Sequence, residues 1–188
     1  MPRRRALASA CLVAALAAAG CAEPPNKEID QAQGAIDAAK AAGAEKYATT
    51  EYSAAETALK NANDAVAAGD YRLALNAALE SREHGQNAAR DTADTKARVR
   101  VEVERSMAEI ATLMAQANTR RAAAQRARVP ARVLAQSARD IDAASAAVQK
   151  AGEAIAGDDY LAALAALKGV KERLEMAVAA IGPAGRRR

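Results

Sequence analysis

The chain has 188 residues, of which 57 are alanine, and it contains no phenylalanine or tryptophan. Its formal net charge is +4, but Arg3–Arg5 and Arg186–Arg188 place six positive charges near the two ends, so the body of the chain is about neutral. This balance does not favour nucleic acid as a partner, because nucleic-acid-binding domains carry a clustered positive charge.

Residues 1–20 have the organisation of an export signal. Arg3–Arg5 form a positive segment, residues 6–19 are uncharged and mostly apolar, and Ala18-Ala19-Gly20 places small residues before Cys21. The apolar run is shorter than the roughly 20 residues that a membrane-spanning helix needs. An ordinary secretory signal cut near Gly20 and an uncleaved anchor remain alternatives.

The residues Ala18-Ala19-Gly20-Cys21 resemble the lipobox of bacterial lipoproteins, with alanine in place of the usual leucine. The resemblance implies that residues 1–20 are removed and that Cys21 is lipidated. Ala22 stands where an aspartate commonly retains lipoproteins in the inner membrane, so the resemblance implies the periplasmic face of the outer membrane. Since Cys11 leaves with the signal, the mature chain has no free thiol and no disulfide.

The remaining residues predict long helices. Alanine has the highest intrinsic helix propensity but buries little apolar area, so such a chain forms helices easily and a large globular core poorly. Large residues recur every seven positions, facing small ones, as in the seam of a coiled coil. The residues at seven-residue spacing are Ile29 and Ile36; Tyr52, Leu59 and Val66; and Leu134, Ile141, Val148 and Ile155. Two further seams step by four and three, namely Val99, Val103, Ser106, Ile110, Leu113 and Ala117, and Tyr160, Leu164, Leu167, Lys171, Leu174, Val178 and Ile181.

Four sequence signals mark the helix ends. Gly69-Asp70 and Gly157-Asp158-Asp159 each combine a helix-ending glycine with a capping aspartate. Pro130 ends the helix before it, because the residue before proline disfavours the α region. Ser53-Ala-Ala-Glu56 has the form of a capping box and indicates a helix start near Thr49 to Ser53.

A shift of 89 residues superimposes two segments of the chain. Residues 51–84 and 140–173 share 12 identities in 34 positions, eight of them alanine pairs, and Asp70-Tyr71 aligns with Asp159-Tyr160. Because the turn and the heptad positions stay in register, we interpret each copy as a helical hairpin. Gly69, Asp70 and Tyr71 form the first hairpin turn, and Asp159 and Tyr160 belong to the second.

We therefore predict an all-α protein, an elongated antiparallel bundle of long alanine-rich helices built from two helical hairpins, with no sheet. Between the hairpins, residues 71–128 contain no strong helix breaker except Gly85, although the polar middle from Glu80 to Lys96 makes a weak seam. The predicted organisation is a signal peptide at 1–20, a lipidated tether at 21–26, a first hairpin with a long second helix at 27–128, a second hairpin at 129–182, and a basic disordered tail at 183–188.

The first hairpin resembles a known family. Tyr47-Ala-Thr-Thr-Glu51, an alanine and leucine ladder through Leu59, and Ala68-Gly-Asp-Tyr71 are similar to the alanine-rich domain of unknown function 4398, found in bacterial envelope lipoproteins. The match covers roughly residues 29–89, and Thr49 replaces the family's proline. The resemblance implies a helical fold and an envelope location, and it brings no known activity.

The residues offer little chemistry. His84 is the only histidine, so a di-iron site built from paired Glu-x-x-His motifs cannot form. No nucleophile elbow, phosphate-binding loop or cysteine cluster is present. We expect no enzyme activity, no cofactor and no metal, and we interpret His84 as a surface or hinge residue.

Two features suggest binding instead. Tyr71 and Tyr160 occupy matching turns, where they either seal the end of a hairpin or mark a ligand groove. Residues 96–132 carry nine basic and three acidic side chains, whereas residues 22–95 carry seven basic and thirteen acidic side chains. These segments either complement each other within or between chains, or they provide a basic arm, including Arg120, Arg121, Arg126 and Arg128, for an anionic partner. Without interleaved aromatics, that partner is not single-stranded nucleic acid.

The function most consistent with these features is a non-enzymatic, outer-membrane-anchored periplasmic lipoprotein that acts as a structural or adaptor module. Besides the membrane, its partner would be another envelope protein, a second copy of itself, or peptidoglycan. The alternative is a helical module that binds a ligand or a cell-wall polymer.

Overall fold

The structure is a computed structural model, and it describes residues 23–182. Within this range 89% of the residues are helical and none forms a strand, so the predicted all-α class is confirmed. The predicted signal peptide at 1–20, Cys21 and the predicted tail at 183–188 lie outside the described residues.

Seven helices make up the described part of the chain. In chain order they are α1 (Asn26–Ala42), α2 (Ala44–Tyr47), α3 (Thr49–Ala67), α4 (Tyr71–Arg126), α5 (Ala131–Ala156), α6 (Tyr160–Leu167) and α7 (Val170–Ile181). The start at Thr49 agrees with the predicted restart. However, the predicted capping box does not form, because Ala48 is the N-cap residue and the Ser53 hydroxyl donates to the Thr50 carbonyl oxygen.

Helix α4 is continuous over 56 residues and passes through the polar segment from Glu80 to Lys96. It ends at Arg126, four residues before Pro130, as the sequence predicted. Arg128, in the connection to α5, has a φ of 55°, and the backbone N–H of Val129 donates to the Ala124 carbonyl oxygen. These features close the C-terminus of α4 in the left-handed conformation that usually favours glycine.

The helices pack in two compact units that divide inside α4, between Thr92 and Ala93. The first unit contains α1, α2, α3 and the beginning of α4, and the second contains the rest of α4 with α5, α6 and α7. The predicted boundary at 128/129 coincides with the turn before α5, whereas the packing boundary falls earlier. Helix α4 therefore contributes one segment to each unit.

The first unit packs through small side chains. Its buried residues are mostly alanines, with Ile36, Tyr47 and Tyr52 as the large members. The polar middle of α4, which predicted a weak seam, packs closely here because Ser81, Gly85, Ala88 and Thr92 are all buried. The Ser81 hydroxyl donates to the Ala55 carbonyl oxygen of α3 at 2.8 Å, so its burial leaves no polar group unsatisfied.

The second unit has a core of larger side chains. Val103, Ile110 and Ala117 of α4 are buried seven residues apart, which confirms that this segment is helix and that the predicted seam is the packing face. The partners across the core are Ile141, Ala144 and Ala151 from α5, and Ala163, Leu167, Val170, Leu174 and Val178 from α6 and α7. Ile110 and Leu174 are among the largest fully buried side chains in the described residues.

The pattern of burial follows the predicted 89-residue repeat. The buried positions Ala78, Ser81, Gly85, Ala88 and Thr92 in α4 correspond, after the shift, to Leu167, Val170, Leu174, Ala177 and Ile181, and all of these are buried. Tyr52 and Ile141 correspond in the same way in α3 and α5. The register thus extends beyond the segment in which identities were visible, although small residues in one copy stand where large ones stand in the other.

The two turns of the repeat share the same hydrogen bonds. The backbone N–H of Asp70 donates to Ala65, and that of Asp159 donates to Ala154, at 3.0 and 2.9 Å. Each aspartate then caps the following helix, because its Oδ1 atom accepts from the backbone N–H three residues later, at 2.9 Å for Asp70 and 3.1 Å for Asp159. Gly69 at a φ of 75° corresponds to Asp158 at 58°, so the left-handed position is retained without glycine.

One predicted helix is interrupted. Residues 160–181 form two helices, α6 and α7, separated at Lys168 and Gly169, and Gly169 has a φ of 74°. Lys171, predicted to lie in the seam, is exposed instead, while Leu174 and Val178 resume the buried positions. The sequence spacing hid this break, because the apolar positions before and after it keep one helical period.

Candidate functional site

The arginines predicted to meet a partner lie at the connection between α4 and α5, in the second unit. Arg126 is the last residue of α4, Arg128 lies in the turn, and both are exposed. Arg121 is half-buried, and Arg120 is exposed, one to two helical turns before the end of α4. Arg132, which the sequence analysis did not single out, follows in the first turn of α5 and is also exposed.

Arg120 has a structural role within the second unit. Its Nη1 atom donates to the Val178 carbonyl oxygen at 3.3 Å. Val178 lies in the last turn of α7, where carbonyl oxygens have no partner within the helix and the helix dipole is negative. Arg120 therefore stabilises the C-terminus of α7, which distinguishes it from the other three predicted arginines.

A groove of about 470 Å³ lies between α4, α6 and the start of α7. Ile110, Leu161, Leu164 and Leu167 supply apolar lining, and Ser106 adds a hydroxyl. The charged lining residues are Glu102, Glu109, Lys168, Lys171 and Glu172. Lys168 and Gly169, the break between α6 and α7, line this groove, so the interruption of the helix contributes directly to its wall.

An ion-pair cluster fixes one side of the groove. Glu109 Oε2 lies 2.7 Å from Lys171 Nζ, and Glu109 Oε1 lies 3.0 Å from Arg105 Nε. The hydrogen bond from Lys171, together with that from Arg105, holds the pKa of Glu109 below its ordinary value. The hydrogen bond to Glu109 raises the pKa of Lys171. Glu109 and Lys171 are therefore both ionised at neutral pH, and the one carboxylate is shared between two basic side chains.

The turn tyrosines do not line this groove. Tyr71 and Tyr160 are half-buried first residues of α4 and α6, and neither belongs to the residues that form the groove wall. The groove was missed in the sequence because its lining depends on the helix break. Gly169 within an otherwise periodic segment was the one signal that could have indicated it.

His84 lies between two carboxylates of the first unit. Its Nδ1 atom is 2.8 Å from Glu51 Oε2, and its Nε2 atom is 3.9 Å from Glu80 Oε1. The hydrogen bond with His84 lowers the pKa of Glu51, against the opposing effect of burial. The arrangement connects α3 to α4, so His84, interpreted from the sequence as a surface or hinge residue, is half-buried and contacts a neighbouring helix.

Residues 23–182 contain no cluster of three or more histidine, cysteine, aspartate or glutamate side chains that could hold a metal ion. In the same range, no helix combines the length and the apolar character needed to cross a membrane. The predicted lipidation at Cys21 remains a prediction, since that residue is outside the described part of the chain.

Comparison with protein-family models, curated proteins and solved structures finds no match for this chain. The resemblance to the alanine-rich domain of unknown function therefore stays a prediction based on residues 29–89.

Proposed function

We propose that this protein is a non-enzymatic lipoprotein, anchored through Cys21 at the periplasmic face of the bacterial outer membrane, and that it acts as a structural or adaptor module of the cell envelope. Helix α4 is the observation that supports an adaptor role most directly. It supplies packing faces to two units without an intervening loop. One continuous helix thus gives a single chain two packed units, each with its own surface, as an adaptor requires.

We further propose that each repeat is an antiparallel helical hairpin. The three-residue connections before Tyr71 and Tyr160, each closed by a capping aspartate, support this arrangement. The shared burial register of the two copies supports it as well. Short helix–helix connections typically join antiparallel neighbours.

The membrane anchor is tested by fractionation of cells that express single cysteine variants. Cys21→Ser should release the protein from the membrane fraction or leave it with an uncleaved signal, and it should abolish incorporation of labelled fatty acid. Cys11→Ser is the matched control, because Cys11 lies in the apolar part of the predicted signal. Unchanged fatty-acid labelling of the Cys21→Ser variant would contradict the proposal.

The adaptor role is tested by crosslinking in intact envelopes followed by purification. We expect the native chain to recover a reproducible partner, and a variant with residues 96–132 neutralised at their exposed basic positions to recover less of it. Recovery of the chain alone, at all crosslinker lengths, would argue against an adaptor.

A second candidate function is the binding of a small apolar ligand in the groove of the second unit. Its support is the volume of about 470 Å³, within the range of about 300–1,000 Å³ that is usual for ligand pockets, together with the leucine lining. Ser106→Trp should fill the groove and abolish binding of the dye N-phenyl-1-naphthylamine, monitored by fluorescence. Ala108→Trp, at an exposed position of the same helix, is the control and should leave binding unchanged.

A further inference from the structure

The connection between α4 and α5 lies in a segment without acidic residues. From residue 110 to residue 139 the chain contains six arginines, no lysine, no aspartate and no glutamate. Before this segment, three basic side chains of α4 form ion pairs, Lys96 with Asp158, Arg100 with Glu104 and Arg105 with Glu109. Glu109 is the last acidic residue of α4, so the basic side chains after it have no acidic neighbour further along this helix.

Four of these arginines, which we term the arginine end, are Arg121, Arg126, Arg128 and Arg132. None of them forms an ion pair or a side-chain hydrogen bond within residues 23–182. Between residues 125 and 132 every residue is exposed except the half-buried Val129. The arginine end is thus centred on a solvent-exposed turn.

Helix stability accounts for only part of this charge. Arg126 and Arg128 lie at the C-terminus of α4, where the helix dipole favours positive charge. Arg132 lies in the first turn of α5, where the dipole disfavours positive charge, and that turn contains no acidic residue to offset it. Pro130, the N-cap residue, also provides no side-chain cap. The position of Arg132 is therefore unfavourable for the isolated chain.

We propose that the arginine end binds the phosphate groups of anionic phospholipids at a membrane surface. Guanidinium groups bind phosphate oxygens in a bidentate manner, and basic clusters gain affinity for an anionic leaflet with each added charge. An exposed turn with several outward cations fits a plane of phosphates better than it fits a single enclosed ligand. The inference rests on the proposed function, because a lipid anchor at Cys21 would confine the chain to a membrane.

The test measures binding to vesicles without the lipid anchor. The mature chain, residues 21–188 with Cys21→Ser, is sedimented with vesicles of phosphatidylcholine and phosphatidylglycerol in a 7:3 ratio, at low and high salt. We expect binding that is lost with pure phosphatidylcholine and weakened at 1 M salt, where the Debye length falls to about 3 Å. The triple variant Arg126→Gln, Arg128→Gln and Arg132→Gln should bind about a hundredfold more weakly, which corresponds to roughly fivefold per arginine.

Two variants distinguish this surface from general charge effects. The control Arg98→Gln, Lys150→Gln and Lys168→Gln removes three exposed positive charges from the same unit but away from the arginine end, and it should retain most of the binding. Replacement of Arg126, Arg128 and Arg132 by lysine keeps the charge without the bidentate hydrogen bonds, so this variant should bind more weakly than the native chain but more tightly than the glutamine variant. Circular dichroism checks that each variant keeps its helix content.

Several results would overturn the inference. These are equal losses in the glutamine and control variants, no dependence on phosphatidylglycerol, or binding by the same arginines to purified peptidoglycan sacculi or to a second copy of the chain but not to vesicles. Each leaves the membrane anchor untouched, since fatty-acid labelling at Cys21 is measured separately. Conversely, absence of fatty-acid labelling in the native chain, together with intact vesicle binding, would refute the lipid tether and keep the phosphate-binding surface.

Discussion

At the scale of single residues, Gly85 lies at a helix position where close packing favours glycine, although alanine has the higher intrinsic helix propensity. A glycine inside a helix ordinarily costs about 0.5–1 kcal/mol relative to alanine. A Cβ atom at Gly85, however, would lie 3.0 Å from both the carbonyl carbon and the Cβ atom of Ala35 in α1. Backbone atoms at that distance must move, so the close approach of α1 and α4 depends on the missing side chain.

We therefore expect Gly85→Ala to lower the free energy of unfolding, by about 1–3 kcal/mol, because overpacking outweighs the gain in helix propensity. Gly34→Ala is the control in α1, since a Cβ atom there meets nothing within 4 Å. The control should raise the free energy of unfolding by about 0.5–1 kcal/mol. Urea denaturation followed by circular dichroism measures both, and stabilisation by both substitutions would refute the close packing.

The contact between Glu51 and His84 makes a prediction about pH. The pKa of Glu51 is lowered in the folded state, mainly by the hydrogen bond with His84. The resulting stabilisation is complete above the ordinary glutamate pKa of about 4.3, and it is lost as the pH falls through the lower pKa of the folded state. Glu51→Gln should thus be less stable than the native chain at pH 5, by about 1 kcal/mol, and the difference should shrink at pH 3.

The matched control for this prediction is Glu83→Gln, an exposed neighbour of His84 in α4. Its difference from the native chain should be small at both pH values. If the stability difference between Glu51→Gln and the native chain were the same at pH 5 and at pH 3, protonation of the Glu51 carboxylate would not account for it, and the prediction would be wrong.

At the scale of elements, the turns of the repeat were predictable and the packing between helices was not. Gly69-Asp70 and Asp158-Asp159 lie where the sequence placed them, because turn and capping preferences depend on local residues. The break at Lys168 and Gly169 was missed, since the spacing of Leu164, Leu167 and Leu174 fits one continuous helix. The local sequence is compatible with both a continuous and an interrupted helix, and it does not show which of the two packs against the neighbouring helices.

The two capping aspartates are expected to be energetically equivalent. Asp70→Ala and Asp159→Ala should each lower the free energy of unfolding by about 1 kcal/mol, because each leaves a backbone N–H of the first helical turn without its acceptor. Asp70→Asn and Asp159→Asn should retain most of the stability, since asparagine also caps well. Thermal denaturation of the four variants measures this, and a cost at only one of the two turns would argue against an equivalent role.

For the arginines at the connection between α4 and α5, the sequence likewise predicted the region but not the tertiary contacts of each residue. Arg121, Arg126 and Arg128 were found from charge alone, and the structure leaves them without partners in the described residues. Arg120 carried the same sequence signal but is used at the C-terminus of α7, a contact that joins residues 58 positions apart. Arg132 was omitted because its significance depends on the start of α5. The composition indicated the arginine-rich region, and only the tertiary contacts distinguished the arginine with a structural role from the others.

At the scale of the whole molecule, the two units bury equivalent helix positions with side chains of different volumes. Equivalent buried positions hold Ser81 and Gly85 in the first unit, and Val170 and Leu174 in the second. Helices with small residues at their contacts approach closely and rely on dispersion between backbones, whereas larger residues remove more apolar surface from water. Equivalent helix positions are thus buried in both units, whereas the relative contributions of dispersion and of apolar surface burial differ.

The charge of the described residues is also divided. Residues 23–92 carry twelve acidic and seven basic side chains, while residues 93–182 carry eleven and fourteen. The charge asymmetry predicted from the sequence is thus carried by the two packing units. The positive excess of the second unit is concentrated where acidic residues are absent, at the arginine end.

The small-residue core has a calorimetric consequence. The heat capacity change of unfolding scales with the apolar surface exposed, and globular proteins average about 12–15 cal/mol/K per residue. With no phenylalanine or tryptophan and with alanine dominating the buried positions, this chain should fall below that range. Differential scanning calorimetry over a series of pH values measures the quantity, and a value inside the range would contradict the expectation. A low value flattens the stability curve, so the folded state would lose little stability between cold and warm surroundings.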